Sequence, residues 1–264
     1  IHMEGIKPPY VLLCNHNAFL DFKVTTAAIF PNRANYVVAI DGFTSPTRKG
    51  FASREWLLRI VGCICKRKFT NDAVLVRQLS RVVKNGDIAV LYPEARYSLC
   101  GTNAVLPDSL GKLCKLLKVP VVSLIMPGHH VNSPVWHLTD HGVKPVESEL
   151  TCLFTAEALA KATADEVNQA INNAFVYDDF AWQRARGIRI KSKTRAEGLH
   201  KVLYQCPHCN TEYEMGSKGT QLFCKACGKR WEMDELGSLR ALEGETEFSH
   251  IPHWYEWERA NVRR

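Results

Sequence analysis

The chain has 264 residues, with 34 Lys and Arg against 27 Asp and Glu and a formal net charge of +7. Apolar residues make up 46% and charged residues 23%, which are globular proportions and exclude wholesale disorder and fibrous repeats. No apolar run reaches the roughly 18 residues of a membrane-crossing helix, and nothing at the N-terminus reads as a signal peptide. The moderate positive charge suits an anionic partner without choosing among nucleotide, phospholipid and nucleic acid.

Through the first two thirds, short apolar strands alternate with amphipathic helices. Val11–Cys14 reads as a buried strand, followed by a polar turn at Asn15–Asn17 and a helix from about Ala18. Tyr36–Ile40 is a second strand, and Ser53 can cap a helix through Trp56, Leu57 and Ile60 towards Gly62. Asp72–Lys84 is predicted helical with Leu75, Leu79, Val82 and Val83 on one face, and Gly86 stands where a C-terminal cap belongs. Ile88–Tyr92 is a strand ending at Pro93, Ser109–Lys118 a helix, Val119–Met126 a strand and Val146–Phe154 a further strand. Thr163 and Glu166 form a capping-box pattern that opens a helix to about Phe175. This alternation predicts an α/β domain whose sheet is covered on both faces.

Six cysteines are scattered over the first 152 residues, and the other four fall within 22. That distribution fits a reduced, cytosolic protein with one metal site better than a disulfide framework. Cys206-x-x-Cys209 and Cys224-x-x-Cys227 are separated by fourteen residues. Each pair makes a knuckle, and the two knuckles together supply four thiolates at the spacing of a zinc ribbon, a closed structural Zn2+ site. Asn210 and Gly228 follow the second cysteine of each knuckle, where the chain must turn tightly. Tyr213, Phe223 and Trp231 are expected to form the ribbon's apolar cap. A ribbon can bind nucleic acid, hold a partner or simply add stability, and the structural role is the reading adopted.

Two further groups of residues carry chemistry. After the first strand, His16 and Asp21 are five residues apart, which lets the carboxylate reach one imidazole nitrogen and leaves the other to accept a proton. A turn histidine satisfied by its neighbours has the same spacing. At the end of the strand after Gly86, Tyr92-Pro93-Glu94-Ala95-Arg96-Tyr97-Ser98 presents Glu94 and Arg96 together, where open α/β sheets bind ligands. A surface ion pair is the alternative. His129, His130, His137 and His141 have no recognised ligand spacing and read as loop residues.

Asn15-His16 with Asp21, then Tyr92-Pro93-Glu94, then Val119-Pro120-Val121-Val122 resemble the glycerophospholipid acyltransferases, and within them the 1-acyl-glycerol-3-phosphate (lysophosphatidate) type, over roughly residues 4–155. The resemblance implies a glycerol-3-phosphate acyltransferase-like mixed α/β sheet flanked by helices, to which the small zinc ribbon is an addition. It implies His16 as general base and Asp21 as its orienting carboxylate. Gly62–Lys68 resembles the family's second motif, which implies Arg67, or else Lys68, as a cation for the acceptor phosphate, and Glu94 and Arg96 complete the implied acceptor site. The family's third motif reads Phe-Pro-Glu-Gly-Thr-Arg-Ser. Here Pro93, Glu94 and Ser98 match, Ala95 replaces the glycine, Tyr97 stands at the arginine position, and Arg96 comes one residue early. The implied co-substrates are an acyl-CoA or acyl-carrier protein donor and a lysophospholipid acceptor.

The composition then shifts. Residues 183–201 hold seven Lys and Arg and one Glu, and residues 232–258 hold eight acidic residues and one Arg. The expected organisation is an acyltransferase domain over 1–182, a basic linker over 183–201, the zinc ribbon over 202–236 as an insertion, and a truncated C-terminal tail over 237–264. The basic run is either a solvated linker or a patch for an anionic membrane surface. Trp254, Tyr255 and Trp257 are either interfacial anchors or residues that pack back on the domain. The protein is thus expected to be cytoplasmic and peripheral on the membrane, with nucleic acid not expected as a partner. The rival reading is a non-catalytic zinc-ribbon module that binds nucleic acid or protein.

Overall fold

The computed structural model describes residues 2–18, 20–39, 54–67, 72–137, 141–142 and 147–263. Lys68, Ser53, Ile40 and Val146, each named above, lie outside the described residues.

A four-residue run that is apolar throughout suits a strand buried on both faces, because successive side chains point to opposite sides. Strand β1 (Val11–Cys14) does this: Val11 and Leu13 join the apolar cluster on one face of the sheet, and Leu12 and Cys14 join the cluster on the other. The same division holds in β4 (Ile88–Leu91) and β5 (Val121–Ile125), which flank β1 as parallel neighbours. With β2 (Ala34–Ala39), β3 (Ile64–Lys66) and β6 (Glu149–Phe154), the sheet runs β3-β2-β4-β1-β5-β6. All neighbours are parallel except β6, which is antiparallel to β5.

The helices follow from local signals. Helix α1 (Asp21–Ile29) starts three residues later than predicted, because the Asn17 and Ala18 amides bond the Asp21 carboxylate and hold the preceding residues in a loop. Helix α2 (Arg54–Ile60) forms where expected and exposes Trp56 and Ile60. In α3 (Ala73–Lys84), Asp72 caps the N-terminus through Leu75 N, and the four expected apolar residues are buried. Helix α4 (Ser109–Leu117) ends at Lys118 in the left-handed conformation. A short α5 (His129–Asn132) follows β5. Helices α6 (Ala156–Lys161) and α7 (Ala164–Ala174) then cover the sheet, the latter with its capping box formed. Helix α8 (Asp179–Ala185) leaves the sheet for the C-terminal part.

That part is a four-stranded antiparallel sheet, β7 (Met215–Lys218), β8 (Gln221–Cys224), β9 (Arg230–Met233) and β10 (Leu239–Ala241), followed by α9 (Ile251–Val262). The residues read as a tail are therefore a strand and a helix. Ile251, Trp254 and Glu258 recur at helical spacing and are buried. The stretch read as a basic linker is packed as well. Ile190, Ala196 and Leu199 lie in one apolar cluster with Trp231 and Trp254. Arg195 donates to the carbonyls of Met233 and Asp234, and Arg189 pairs with Glu235. Phe180, Val131 and Trp136 belong to the same cluster, so the C-terminal part sits directly on the α/β part.

Candidate active site and metal centre

The carboxyl ends of three adjacent strands, β4, β1 and β5, meet at one edge of the sheet, and the loops that leave them carry the site. After β1, Asn15 continues the sheet through its amide to Leu124 O, and its Oδ1 accepts from Met126 N at 2.8 Å. His16 comes next. Its backbone N donates to Glu94 Oε2 at 2.8 Å, and its carbonyl accepts from Ser98 N at 2.7 Å, so the β4 loop clamps it from both sides. Its ring lies between Tyr92 and Tyr97, with centroid distances of 4.4 and 4.2 Å.

His16 Nδ1 is 3.0 Å from Asp21 Oδ2, as the spacing predicts. The same oxygen accepts from Asn17 N at 2.6 Å and Ala18 N at 2.9 Å. Asp21 is fully buried. Burial pushes its carboxyl up, but hydrogen bonds from His129 and His16 outweigh that and hold it below the usual carboxylate range. His16 keeps 22% of its side chain exposed, and among the described residues its Nε2 has no hydrogen-bond partner. A carboxylate that holds Nδ1 fixes the tautomer with Nε2 as the acceptor, on the side open to solvent.

Glu94 is turned inwards. It is 6% exposed, and its carboxylate accepts from His16 N, from Ala104 N at 2.7 Å and from the Tyr177 hydroxyl at 3.0 Å. Burial pushes its carboxyl up despite those bonds. Through these bonds it holds the His16 loop in place. Arg96 is exposed on the same loop, in a cleft shared with Asn103, Tyr255 and Arg259. Arg67 is exposed directly after β3, the strand at the far edge of the sheet, with its backbone N on Asp72.

Three residues of this site escaped sequence reasoning. His129, read as a loop residue, is fully buried in α5, and its Nδ1 lies 2.7 Å from Asp21 Oδ1. Gly128 makes this placement possible: its φ is +84°, and a Cβ there would lie 2.4 Å from the Trp182 ring. Tyr177 donates towards Asn17 Oδ1 and Glu94, and Asp179 accepts from Asn17 Nδ2 and His130 N. Burial pushes the Asp179 carboxyl up to about 8 and the His130 imidazole down to about 3. The one available signal for His129 was its position shortly after a strand that ends at the same edge as β1.

The four cysteines of the C-terminal part form the second centre. The Sγ atoms of Cys206, Cys209, Cys224 and Cys227 all lie within 4.8 Å of one another, with Cys206–Cys227 at 3.8 Å and Cys209–Cys224 at 3.7 Å. A tetrahedron with metal–sulfur distances of ~2.3 Å requires sulfur–sulfur distances of ~3.8 Å, so the cluster fits Zn2+. Both knuckles close alike, Asn210 N on Cys206 O and Gly228 N on Cys224 O, with φ of +61° and +76°. Hydrogen bonding between its sulfur and Thr211 lowers the Cys209 thiol to about 6. Trp231 and Leu222 are buried beside the cluster. Tyr213, expected in the cap, is 77% exposed and stacks on Tyr204 instead. His208 points to Glu247 rather than to the sulfurs.

No family model matches the chain, and no curated protein matches it. Among solved structures, the chain is similar to the crystal structure of the 1-acyl-sn-glycerophosphate (LPA) acyltransferase, PlsC, from Thermotoga maritima, with a TM-score of 0.51 and 13% sequence identity over 70% of each chain. The likeness is one of fold: a parallel-dominated mixed sheet flanked by helices.

Proposed function

We propose that the chain is an acyltransferase that moves a fatty acyl group from acyl-CoA or acyl-carrier protein to the free hydroxyl of a lysophospholipid, with 1-acyl-glycerol-3-phosphate as the first candidate acceptor. The observation that carries this reading is the His16–Asp21 pair at the carboxyl end of the central strand, in a fold similar to that of an LPA acyltransferase. An acyl thioester is already activated, so no enzyme nucleophile is required. What the reaction needs is a base on the acceptor hydroxyl, which contributes about 10²–10⁴-fold. In this reading His16 Nε2 is that base.

Exposed cations near the same edge are the candidates for the acceptor phosphate: Arg96 first, then Arg67, with Lys68 carried from the sequence alone. A lipid acceptor also requires a surface to approach. Trp56 (63% exposed), Ile60 (56%) and Val61 (50%) present apolar area around Arg59, which supports peripheral contact with an anionic membrane. Trp254 is fully buried and does not serve as an anchor. No described helix is long and apolar enough to cross a membrane. The four-thiolate cluster is read as a structural Zn2+ site.

The test is acyl transfer from a long-chain acyl-CoA, and separately from an acyl-carrier protein, to lysophosphatidate and a panel of other lysolipids, with liposomes present. Activity that His16→Ala abolishes supports the reading, and the panel ranks acceptors. No transfer to any acceptor by the folded, zinc-loaded protein, together with salt-sensitive nucleic-acid binding in a gel shift, would overturn it in favour of a non-catalytic ribbon protein.

A further inference from the structure

A fully buried carboxylate with two imidazoles on its two oxygens is more than a base and its orienter. Asp21 Oδ2 is shared among His16 Nδ1 and two backbone amides, whereas Oδ1 has one partner among the described residues, His129 Nδ1 at 2.7 Å. Both Asp21 and His129 are 0% exposed, so water does not replace that bond. An apolar residue at 129 would leave Oδ1 unpaired in the interior, the costliest kind of polar defect. The backbone also commits to this placement, since α5 begins at the left-handed Gly128 against the Trp182 ring.

We infer that His129 is a positioning residue for the His16 base, and that the working unit is a three-membered chain, His16–Asp21–His129. The inference rests on the acyl-transfer reading of His16. His129 bonds the far oxygen of the carboxylate and acts on His16 through it. By donating to Oδ1 it draws electron density from the anion and orients it. Asp21 then accepts less strongly from His16 Nδ1, which keeps the His16 imidazolium from being overstabilised. The other titratable groups around this carboxylate are Cys14 on β1, Tyr92 and Tyr97 on the β4 loop, His130 on α5 and Asp179 on α8. None of them hydrogen-bonds to Asp21.

The direction follows. Without the His129 donor, Asp21 becomes the stronger base, the protonated form of His16 is favoured, and the His16 midpoint rises. Imidazole NMR titration of His16, assigned with His16→Ala, reads this without any substrate. It therefore stays informative even if no acyl acceptor is found. In His129→Leu the midpoint should rise by about half a unit or more. The acid limb of the kcat profile should move up with it, and kcat on that limb should fall about threefold per half unit, with KM little changed. Asparagine places an amide donor near the Nδ1 position, so His129→Asn should restore the wild-type midpoint and acid limb. An unchanged His16 midpoint in His129→Leu, or a loss of kcat with no movement of the acid limb, would overturn the inference. Should His129→Leu fail to fold, Asp21→Asn in the same titration decides. Signals of both His16 and His129 moving together support the chain, and movement of His16 alone refutes it.

Discussion

Replacing Asp21 by asparagine should separate stability from catalysis. The carboxylate accepts from Asn17 N, Ala18 N, His16 Nδ1 and His129 Nδ1. Asparagine keeps one acceptor oxygen, so the three bonds to Oδ2 weaken from the charged range of ~1.5–3 kcal/mol to the neutral range of ~0.5–1.5 and the bond from His129 to Oδ1 is lost, about 5 kcal/mol in all. Against that, a neutral amide removes the burial penalty of an ion, which is itself several kcal/mol after relaxation. The two nearly cancel, and the stability of Asp21→Asn near neutral pH should lie within ~2 kcal/mol of wild type. Catalysis has no such offset. The imidazolium that forms on His16 loses a counter-charge at hydrogen-bond distance, an attraction of about 4 kcal/mol at the effective dielectric of a protein, and kcat should fall by about 10²–10⁴-fold.

Acid titration adds a signed check on the same variant. The folded value of Asp21 is depressed, so its contribution to stability is present above the unfolded value of about 3.9 and is lost as pH falls through the lower folded value. The variant lacks this loss and should gain on wild type below pH ~4. Urea denaturation across the pH range, paired with kcat per folded molecule, measures both quantities. A variant that keeps wild-type kcat while losing more than ~4 kcal/mol of stability would refute the reasoning.

For Asp179 the sign reverses. Burial raises its folded value to about 8, so the stability of its protonated form is fully present below the unfolded value of about 3.9 and is lost as pH rises through about 8. Asp179→Asn, which can still accept from Asn17 and His130 N, should therefore gain on wild type steadily between those limits in urea denaturation, and a pH-independent difference would count against a protonated Asp179. The cysteine cluster should bind one zinc per chain by elemental analysis, and Cys224→Ser should lose it. Structural zinc contributes ~10–16 kcal/mol in small modules, so chelation should also abolish the near-ultraviolet circular dichroism of the Trp231–Trp254 pair, whose rings meet edge to face at 5.0 Å. A full signal without metal would show that the apolar cluster suffices alone.

What the sequence made legible was what is local. The sheet strands are short apolar runs, and apolar runs need only their own residues to be read. His16 and Asp21 meet across one turn, and the knuckles close over four residues each; spacing alone carried the knuckles, while the His–Asp pair also needed the resemblance of its motif. The His129–Asp21 contact spans 108 positions and the Tyr177–Asn17 contact 160, and no periodicity records such a pairing. Glu94 was readable as a strand-end carboxylate but not as one turned inwards, because its direction is set by Ala104 and Tyr177. Tyr213 failed as a cap for a local reason: at φ +62° it directs its ring onto Tyr204 and leaves the interior to Leu222.

The same long-range contacts explain why the two parts of the chain form one unit. Three consecutive residues after the last sheet-covering helix reach in different directions. Tyr177 holds Asn17 and Glu94, and Asp179 holds Asn17 and the backbone of His130. Between them, Asp178 caps α8 through Ala181 N and lies 2.6 Å from Nε2 of His250, the residue that begins α9. Arg184 donates to Nδ1 of that histidine, which leaves Nε2 as the nitrogen that donates to Asp178. Helix α9 in turn fixes the chain just before the first cysteine knuckle, with Glu258 accepting from Gln205 N and Trp254 donating to Gln205 O. The loop bearing His16 is therefore braced on one side by its own sheet and on the other by a segment that the cysteine module anchors. A chain ended before Tyr177 would keep every strand of the large sheet, yet it would strip Glu94 and Asn17 of the partners that aim His16.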